Sequence, residues 1–463
     1  MKLLWKRLLG ILLIAVLLTG SVSANSAQTW WEGVDGSGVI VADETSPIVV
    51  EKELLTFDLQ EFPKEDYDAS EDISQYQGAV TAEYTFYNPS EYTVTAKLLF
   101  PFGIQPSYAG SLGSMEDCYG VYVDGEAVPC NLRHSLTNGY DQFSLDKDLG
   151  KLSDDYVEGA WVRQDTPVRK YTFQVEGTDA QQGSSVTAAF AVDGKEKDCW
   201  IYCPDICSYS GYDDGTEEAS VWAWDGKTIA IYVIGQWDDS FPEWKFHADG
   251  NMAEETDGKM TEVSVEKLTF RDFALSQWRE GSGVSEMDWY NAMVTACEEM
   301  ASENGIMLSF WRYGMDLTRY LMGWYEYEIT LEPGQHITNA VTAPMYPDID
   351  QSYEPAVYTY HYLLSPAQTW SQFGKLEIQI NTPYHMSDES ISGFQQTETG
   401  YRLVQGGLPE GELTFSLCQE EEPEMVKSSG LSALGPGIVM VGFCVLLLCG
   451  LVAVLVGLRK KKR

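Results

Sequence analysis

The chain has 463 residues, with 70 acidic and 30 basic side chains and a formal net charge of −40 at pH 7. This length allows two or three domains with a sizeable core. So few cations exclude nucleic acid as a partner, because binding phosphates needs lysine and arginine. Aromatic residues make up 13% of the chain, and this content excludes a disordered polypeptide.

Residues 1–24 predict a secretory signal peptide. Three basic side chains within the first seven positions precede an apolar run from Leu8 to Leu18. Small residues then lead to Val22-Ser23-Ala24, which is an A-x-A-like cleavage site. We expect cleavage after Ala24, with Ala27 as the second candidate, and therefore expect the following residues to lie outside the cell.

The C-terminal residues predict a membrane anchor. Residues 435–458 carry no charge, and the basic tail 459–463 follows at once. A helix of about 22 residues spans about 33 Å, enough for a hydrocarbon core of about 30 Å. Basic residues beside such a helix stay in the cytoplasm. The sequence therefore predicts a single-pass protein of the cell membrane, with its N-terminus outside and its C-terminus in the cytoplasm.

The predicted extracytoplasmic part is more acidic than the whole chain. Eight of the 30 basic residues lie in the two predicted membrane-addressed ends, and none of the 70 acidic residues does. The remainder therefore carries 70 acidic and 22 basic side chains, a balance of −48. Such a surface favours cations or basic ligands, although the same charge also serves solubility alone.

Alternation of apolar and polar residues predicts a mainly β ectodomain. Gln77–Tyr87 and Tyr92–Phe100 alternate, and the turn motif between them predicts a hairpin. The strongest hairpin signal is Asp225-Gly226, which separates Ala219–Trp224 from Lys227–Ile234. Further strand-like runs lie at Val168–Glu176, Ser184–Val192, Lys259–Phe270, Trp324–Leu331, Gln335–Ala343, Ala356–Leu364, Gly374–Asn381, Tyr401–Val404 and Glu412–Leu417.

One segment predicts an amphipathic helix, over residues 286–304. Apolar side chains from Trp289 to Met300 recur at helical spacing. Ser285 is a good N-cap, Asp288 would complete a capping box, and Gly305 is a good C-cap. We expect the apolar stripe to pack in a core rather than to hold a cofactor.

These patterns predict two β-sandwich-like domains with a tryptophan-rich β segment and one helix between them. The N-terminal β domain is expected over residues 28–195 and the tryptophan-rich middle segment over 196–323. The C-terminal β-sandwich is expected over 324–418, and an acidic stalk over 419–434 leads to the predicted membrane helix.

Two stretches resemble segments of bacterial secreted and single-pass surface proteins of unknown function. Residues 79–90, AVTAEYTFYNPS, with LLFPF at 98–102, are similar to the opening strand pair of those proteins. Residues 358–367, YTYHYLLSPA, followed by Trp370 and FGKL at 373–376, resemble a strand–loop–strand pattern of the same proteins. The resemblance implies a β-sandwich ectodomain and supplies no catalytic residue.

Cysteine positions suggest one disulfide. Cys118 and Cys130 flank a predicted hairpin with Asp124-Gly125 at its turn, so their side chains could meet across it. An oxidising compartment permits such a bond. The extracytoplasmic part contains seven cysteines, and this odd number leaves at least one thiol unpaired within the chain.

An acidic loop is the one candidate metal site. Asp213, Asp214, Glu217 and Glu218 lie within six residues, and calcium prefers several oxygen ligands from one folded loop. The loop does not match the EF-hand pattern, and an acid-rich chain forms such clusters by composition alone. We therefore predict no resident cofactor and keep calcium as the candidate ion.

A tryptophan-rich stretch is the candidate ligand site. Exposed tryptophan faces stack on sugar rings, and paired carboxylates hydrolyse glycosidic bonds. The residues that combine both features are Trp237, Asp238, Asp239, Glu243 and Trp244. The alternative is that the tryptophans of this region, with Trp222 and Trp224 sharing one strand face, fill a core.

The sequence favours a non-enzymatic surface protein that binds a ligand or another protein outside the cell. It contains neither a Gly-x-Ser-x-Gly nucleophile motif nor a His-Glu-x-x-His zinc motif. The first alternative is an extracellular carbohydrate-active enzyme with paired carboxylates in a tryptophan-lined cleft. The second alternative is an assembly partner of another membrane protein, which would use the anchor and the acidic surface.

Overall fold

The structure is a computed structural model. It describes residues 30–31, 36–37, 39–41, 46–63, 78–102, 120–137, 145–181, 184–194, 198–237, 240–301, 307–308 and 317–426. The predicted signal peptide, membrane helix and basic tail lie outside these residues, as does the predicted stalk beyond residue 426. Within the described ranges, no helix is both long enough and apolar enough to cross a membrane.

The described chain is mainly β, as predicted. Its strands are β1 (Trp30–Trp31), β2 (Gly36–Ser37), β3 (Ile40–Val41), β4 (Val49–Asp58), β5 (Ala79–Tyr87), β6 (Val94–Phe102), β7 (Gly120–Val123), β8 (Glu126–Ala127), β9 (Asn131–Leu136), β10 (Pro167–Glu176), β11 (Val186–Asp193), β12 (Cys199–Tyr202), β13 (Ile206–Gly211), β14 (Thr216–Ala223), β15 (Thr228–Gly235), β16 (Trp244–His247), β17 (Lys259–Thr269), β18 (Met307–Leu308), β19 (Leu321–Leu331), β20 (His336–Pro344), β21 (Asp348–Asp350), β22 (Tyr353–Glu354), β23 (Val357–Leu363), β24 (Phe373–Asn381), β25 (His385–Glu389), β26 (Gln395–Thr397), β27 (Gly400–Gly406), β28 (Leu413–Cys418) and β29 (Glu424–Met425). The helices are α1 (Leu145–Leu149), α2 (Phe270–Ser276) and α3 (Glu286–Ala301), with short 3-10 helices at Leu317–Tyr320 and Ser365–Thr369.

Three sheets form what we call the outer region. Sheet 1 has the order β26-β27-β24-β4-β5-β20-β7-β8, and sheet 2 has the order β3-β6-β19-β9. Sheet 3 has the order β1-β21-β23-β28-β25, with β2 also paired to β23. One hydrophobic cluster takes side chains from all three sheets, including Phe57, Phe100 and Tyr360. A ribbon of β22 and β29 completes the pairing.

Strand pairing crosses the predicted domain boundaries. N-terminal β5 pairs with C-terminal β20, and β6 pairs with β19. Sheets 1 and 2 therefore contain strands from both predicted outer domains, 28–195 and 324–418. The segment from β10 to β18 is inserted between the two halves of the outer region, and we call it the inserted region.

The predicted hairpin of Gln77–Tyr87 and Tyr92–Phe100 is wrong. Both strands exist, but β5 lies in sheet 1 and β6 in sheet 2, so the chain changes sheet at the turn. Asn88 in this turn is buried, and its side-chain amide donates to the Tyr92 oxygen at 2.8 Å and the Leu331 oxygen at 3.0 Å. A turn motif predicts only that the chain reverses its direction. The strands with which β5 and β6 pair depend on where each of them is buried.

The inserted region has three layers. Sheet 4 has the order β17-β10-β15-β12-β18, and sheet 5 has the order β13-β14-β11-β16. Between them lies a cluster that contains Phe173 and Ile231 of sheet 4 and Phe190 and Val221 of sheet 5. Another cluster joins the other side of sheet 4 to α2 and α3. Sheet 4 is therefore the middle layer, and sheet 5 keeps one face directed away from it.

The predicted hairpin at Asp225-Gly226 is also wrong. Its strands β14 and β15 belong to sheets 5 and 4, so this connection crosses between the layers. The Gly226 amide donates to the Val175 oxygen at 2.8 Å and ties the turn to the end of β10. By contrast, the Asp124-Gly125 turn does join paired strands, β7 and β8.

Helix α3 begins as predicted and is described as far as Ala301, and the remaining predicted helical residues 302–304 lie outside the described residues. The Asp288 amide donates to Ser285 Oγ at 3.0 Å, which confirms the N-cap. The apolar stripe of the helix lies in a core, as predicted. The Asp288 carboxylate does not take the role predicted for it in a capping box. Instead, it accepts a hydrogen bond from Arg133 Nε at 3.2 Å. Gly305 lies outside the described residues.

An ion network joins the two regions. Arg133 on β9 of the outer region is 8% exposed and contacts Asp288 on α3 of the inserted region. Its Nη1 atom lies 2.8 Å from Asp154 and 3.4 Å from Glu326. The hydrogen bond from Arg133 and the charge of Lys97 lower the pKa of Asp154. The network therefore fixes the inserted region against sheet 2.

Candidate functional site

The two predicted ligand-binding tryptophans belong to a core. Trp237 is 4% exposed and lies in the cluster between sheets 4 and 5. The half-buried Trp244 ring has its centroid 4.8 Å from that of Phe190. Glu243 is exposed beside it, whereas residues 238–239 lie outside the described chain. Both rings therefore agree with the alternative interpretation of the sequence, in which these tryptophans fill a core.

A different tryptophan lies on the outer face of sheet 5. Trp222 is 43% exposed, which contradicts the interpretation that it packs in a core. Its neighbours along β14, Val221 and Ala223, are fully buried in the cluster shared with sheet 4. Successive side chains of a strand point to opposite faces, so the indole of Trp222 is directed outward.

Long-range pairing puts two polar side chains in line with this indole. Thr187 on β11 is directly opposite Trp222 on one side and His247 of β16 on the other. Residues opposite each other in antiparallel strands share one face, with Cβ atoms about 4.5–5.5 Å apart. Trp222, Thr187 and His247 therefore form one row across three strands.

Small residues and one lysine form the next row, because Ala189 of β11 is also opposite the exposed Lys245 of β16. Ser220 is opposite Ala189 on β11 and opposite Ser208 on β13. The hydroxyl oxygens of Ser208 and Ser220 lie 2.7 Å apart, and Cys207 Sγ lies 3.4 Å from Ser220 Oγ. This row supplies hydroxyl groups and little bulk beside the indole. We call the set Trp222, Thr187, His247, Ser220 and Ser208 the Trp222 face.

Two atoms of the Trp222 face lack hydrogen-bond partners. Thr187 is 1% exposed and His247 is 9% exposed, yet Thr187 Oγ1 and His247 Nδ1 meet no partner among the described residues. Leaving a buried polar group unpaired costs about 1–3 kcal/mol, so native proteins rarely keep one without a water or ligand nearby. The row beneath the indole therefore contains two buried polar atoms that no described side chain or backbone group satisfies.

The position of the Trp222 ring is fixed by its surroundings. A Cβ atom at Gly250 would lie 3.0 Å from the edge of the indole, so the loop after β16 needs glycine to approach this closely. Lys227 Nζ donates to the Trp222 carbonyl oxygen at 2.8 Å and pairs with Asp205 at 3.2 Å. The Lys227 bond holds the backbone of β14 at Trp222, and the close approach of Gly250 restricts the ring, which lowers the entropic cost of using the indole as an aromatic anchor.

The chemistry of the Trp222 face suits a neutral, hydroxyl-rich ligand. An indole face stacks on an apolar ring surface, and hydroxyl and imidazole groups exchange hydrogen bonds with ligand hydroxyls. None of the five residues of this face is a carboxylic acid.

The four predicted calcium ligands point in different directions. Asp213 and Asp214 lie in the turn before β14, and the two glutamates are successive residues of that strand, so they face opposite sides. Glu217 accepts from the Tyr209 hydroxyl at 3.1 Å, and Glu218 accepts from another tyrosine at 3.2 Å. No group of three or more metal-ligating side chains occurs within the described ranges, and calcium binding stays a prediction.

The predicted disulfide also stays a prediction, since Cys118 lies outside the described residues. The described cysteines form no disulfide with one another. Cys130 Sγ donates to the Val128 oxygen at 3.3 Å. Burial raises the pKa of the Cys130 thiol to about 11, so little reactive thiolate is present near neutral pH.

Sheet 3 carries one further polar cluster on its outward side. His361 Nε2 lies 2.9 Å from Asp348 Oδ2, and His361 Nδ1 lies 3.3 Å from Thr414 Oγ1. The three groups follow the order of a catalytic triad, but they lie on neighbouring strands of one sheet face. The contacts of both ring nitrogens fix the orientation of the imidazole.

Comparisons with known proteins place the chain in no family. No family model matches the sequence, and no curated protein matches it. One solved structure with some likeness is that of a candidate nutrient binding protein from Legionella pneumophila. It has a TM-score of 0.28 and 10% sequence identity, with 84% of this chain and 72% of that chain covered. A likeness of this size supports no inference about shared function.

Proposed function

We propose that this chain is a membrane-anchored, extracytoplasmic binding protein whose Trp222 face binds a saccharide. The observation that carries the proposal is the exposed indole of Trp222 in one row with two unpartnered polar atoms, Thr187 Oγ1 and His247 Nδ1. The predicted export signal and membrane helix support an extracytoplasmic location. In this proposal the outer and inserted regions are two β-sandwich-like domains, and the inserted one carries the binding face.

The negative net charge of the chain restricts the class of saccharide that it can bind. With 70 acidic and 30 basic residues, the protein repels sulfated and uronic polysaccharides. Neutral saccharides and amino sugars meet no such repulsion. The enzyme alternative lacks a supporting observation, because the described acid of the predicted site, Glu243, is exposed beside a core tryptophan. Binding without cleavage is therefore the function that the geometry supports best.

The test is retention of the full chain, in lipid nanodiscs, on amylose, chitin and dextran sulfate. We expect retention on amylose or chitin, which are both neutral, and none on dextran sulfate. Trp222→Ala should weaken retention about tenfold, which corresponds to about 1.4 kcal/mol. Trp161→Ala is the matched control, because Trp161 is 55% exposed and packs on Trp200 of sheet 4 instead.

Three results would contradict the proposal. The first is equal retention of the wild type and Trp222→Ala. The second is preferential retention on dextran sulfate, because this polymer is anionic. The third is the absence of retention on all three polysaccharides.

A further inference from the structure

A buried carboxyl group sits where the three sheets of the outer region meet. Glu53 is 1% exposed, and its side chain points into the cluster with Leu55 and Phe57 of the same strand. It is directly opposite Tyr84 of β5, which hydrogen-bonds it. Its other oxygen, Oε2, has no hydrogen-bond partner among the described residues. Burying a carboxyl group in this way is costly unless it carries a proton.

A chain of hydrogen bonds leads from this carboxyl group to the N-terminal strands. The Val39 amide donates to the Tyr84 hydroxyl at 3.1 Å. The Trp370 indole nitrogen donates to the Val39 carbonyl oxygen at 3.2 Å. Val39 is fully buried and lies between β2 and β3, so these bonds hold the N-terminal strands on the core.

A second tyrosine connects Glu53 to the same strands. Gly36 on β2 pairs with Tyr362 on β23, and a Cβ atom at Gly36 would lie 3.0 Å from the Tyr362 ring. Burial raises the pKa of both tyrosines well above the ordinary value, and the charge of Glu53 adds to this rise. Both contacts of the N-terminal strands are therefore made to tyrosines, Tyr84 and Tyr362, whose pKa depends on the charge of Glu53.

We propose that Glu53, Tyr84 and Val39 form a proton-operated clasp. While Glu53 carries a proton, the clasp holds β2, Val39 and β3 on the core. When Glu53 loses the proton, its unpartnered oxygen becomes a buried charge and the docked arrangement weakens. This device is independent of the Trp222 face, which belongs to the inserted region.

The direction of the pH effect follows from burial. Burial raises the pKa of Glu53 from 4.5 to about 7, and the weaker effect of the Tyr84 hydrogen bond opposes this rise. In an open state, in which the N-terminal strands leave the core and water reaches Glu53, the pKa of Glu53 returns toward its ordinary value. The docked state therefore binds more protons between pH 4.5 and about 7, and docking weakens as pH rises through this window. The full change is about 300-fold, and docking is constant above the window.

The test is amide hydrogen exchange of residues 36–41 in the full chain at several pH values between 4.5 and 8, corrected for intrinsic exchange. We expect the wild type to lose protection by tenfold or more over this range. Glu53→Gln keeps a neutral side chain of the same shape, so it should stay protected at pH 8. Glu51→Gln is the control, because Glu51 is exposed on the same strand and should behave as the wild type.

Two results would overturn the proposal. One is constant protection of the wild type across the range. The other is an equal loss of protection in Glu53→Gln and in the wild type. Tyr84→Phe provides a further readout, because it removes the hydroxyl that holds Val39 and should lower protection even at pH 4.5.

Discussion

The outer and inserted regions each bury polar atoms without hydrogen-bond partners, but they do so in different surroundings. In the outer region Glu53 Oε2 lies inside a core built from three sheets. In the inserted region Thr187 Oγ1 and His247 Nδ1 lie in a row with an exposed indole. Glu53 can gain or lose a proton inside the core, whereas Thr187 Oγ1 and His247 Nδ1 are buried next to an exposed aromatic ring.

The largest expected effect is at the junction between the two regions. Arg133→Met removes the cation that faces Asp288, which is 1% exposed. An uncompensated buried charge costs about 3–5 kcal/mol, and we expect urea denaturation to show a loss of that size. Arg163→Met is the control, because its pair with Glu158 is exposed and should contribute less than about 1 kcal/mol. Equal losses in the two variants would show that the regions do not depend on this network.

The second prediction concerns how the stability of the outer region changes with pH. Because the pKa of Glu53 is about 7 in the folded chain and 4.5 ordinarily, the wild type should lose stability as pH rises through this window. Glu53→Gln should lack this dependence, so its stability relative to the wild type should increase by about 3 kcal/mol across the window. Urea midpoints at pH 4.5 and 7.5 measure the difference. Parallel pH profiles for the two proteins would contradict the account.

The third effect concerns the unpartnered hydroxyl of the inserted region. Thr187→Val replaces a buried hydroxyl group without a partner by a methyl group, so stability should rise by about 1 kcal/mol. Saccharide retention should nevertheless fall. Thr359→Val is the matched control, because that hydroxyl lies 2.8 Å from Ser416 Oγ and its loss should lower stability by about 1 kcal/mol. A loss of stability in Thr187→Val would show that its hydroxyl has a partner.

The smallest effect on stability is expected at the exposed indole. Trp222→Ala should change the free energy of unfolding by less than about 1 kcal/mol, because substitutions of exposed side chains are usually mild. Phe190→Ala, on the buried face of the same sheet, should cost about 3–5 kcal/mol. Urea denaturation of both variants compares the two faces of sheet 5. Similar losses would show that Trp222 is a core residue after all.

Most strands could be predicted from the sequence, but their partners could not. Alternation in Ala79–Tyr87 gives the strand and its buried side directly. The turn motif after it marks a reversal, and it cannot show whether the next strand stays in the same sheet. At Asn88 the decisive contact is with Leu331, which is 243 residues away. Pairing therefore depends on distant partners that no local pattern contains.

The two sites differ in how much of each could be predicted. In β14, Ala219, Val221 and Ala223 alternate with Trp222, so treating these three as the buried side would have directed the indole outward. The partners Thr187 and His247 depend on long-range register and could not be predicted. The burial of Glu53 could not be predicted either, because a register shift between Val50 and Lys52 reverses the alternation of β4.

Saccharide binding at Trp222 is tested most directly by oxidative footprinting of tryptophans in the full chain, read by mass spectrometry, with and without saturating chitin oligosaccharide or amylose. We expect the bound saccharide to protect Trp222 several-fold and to leave Trp161, which is exposed on another surface, unchanged. Equal oxidation of Trp222 with and without each saccharide, or protection confined to Trp161, would contradict this prediction.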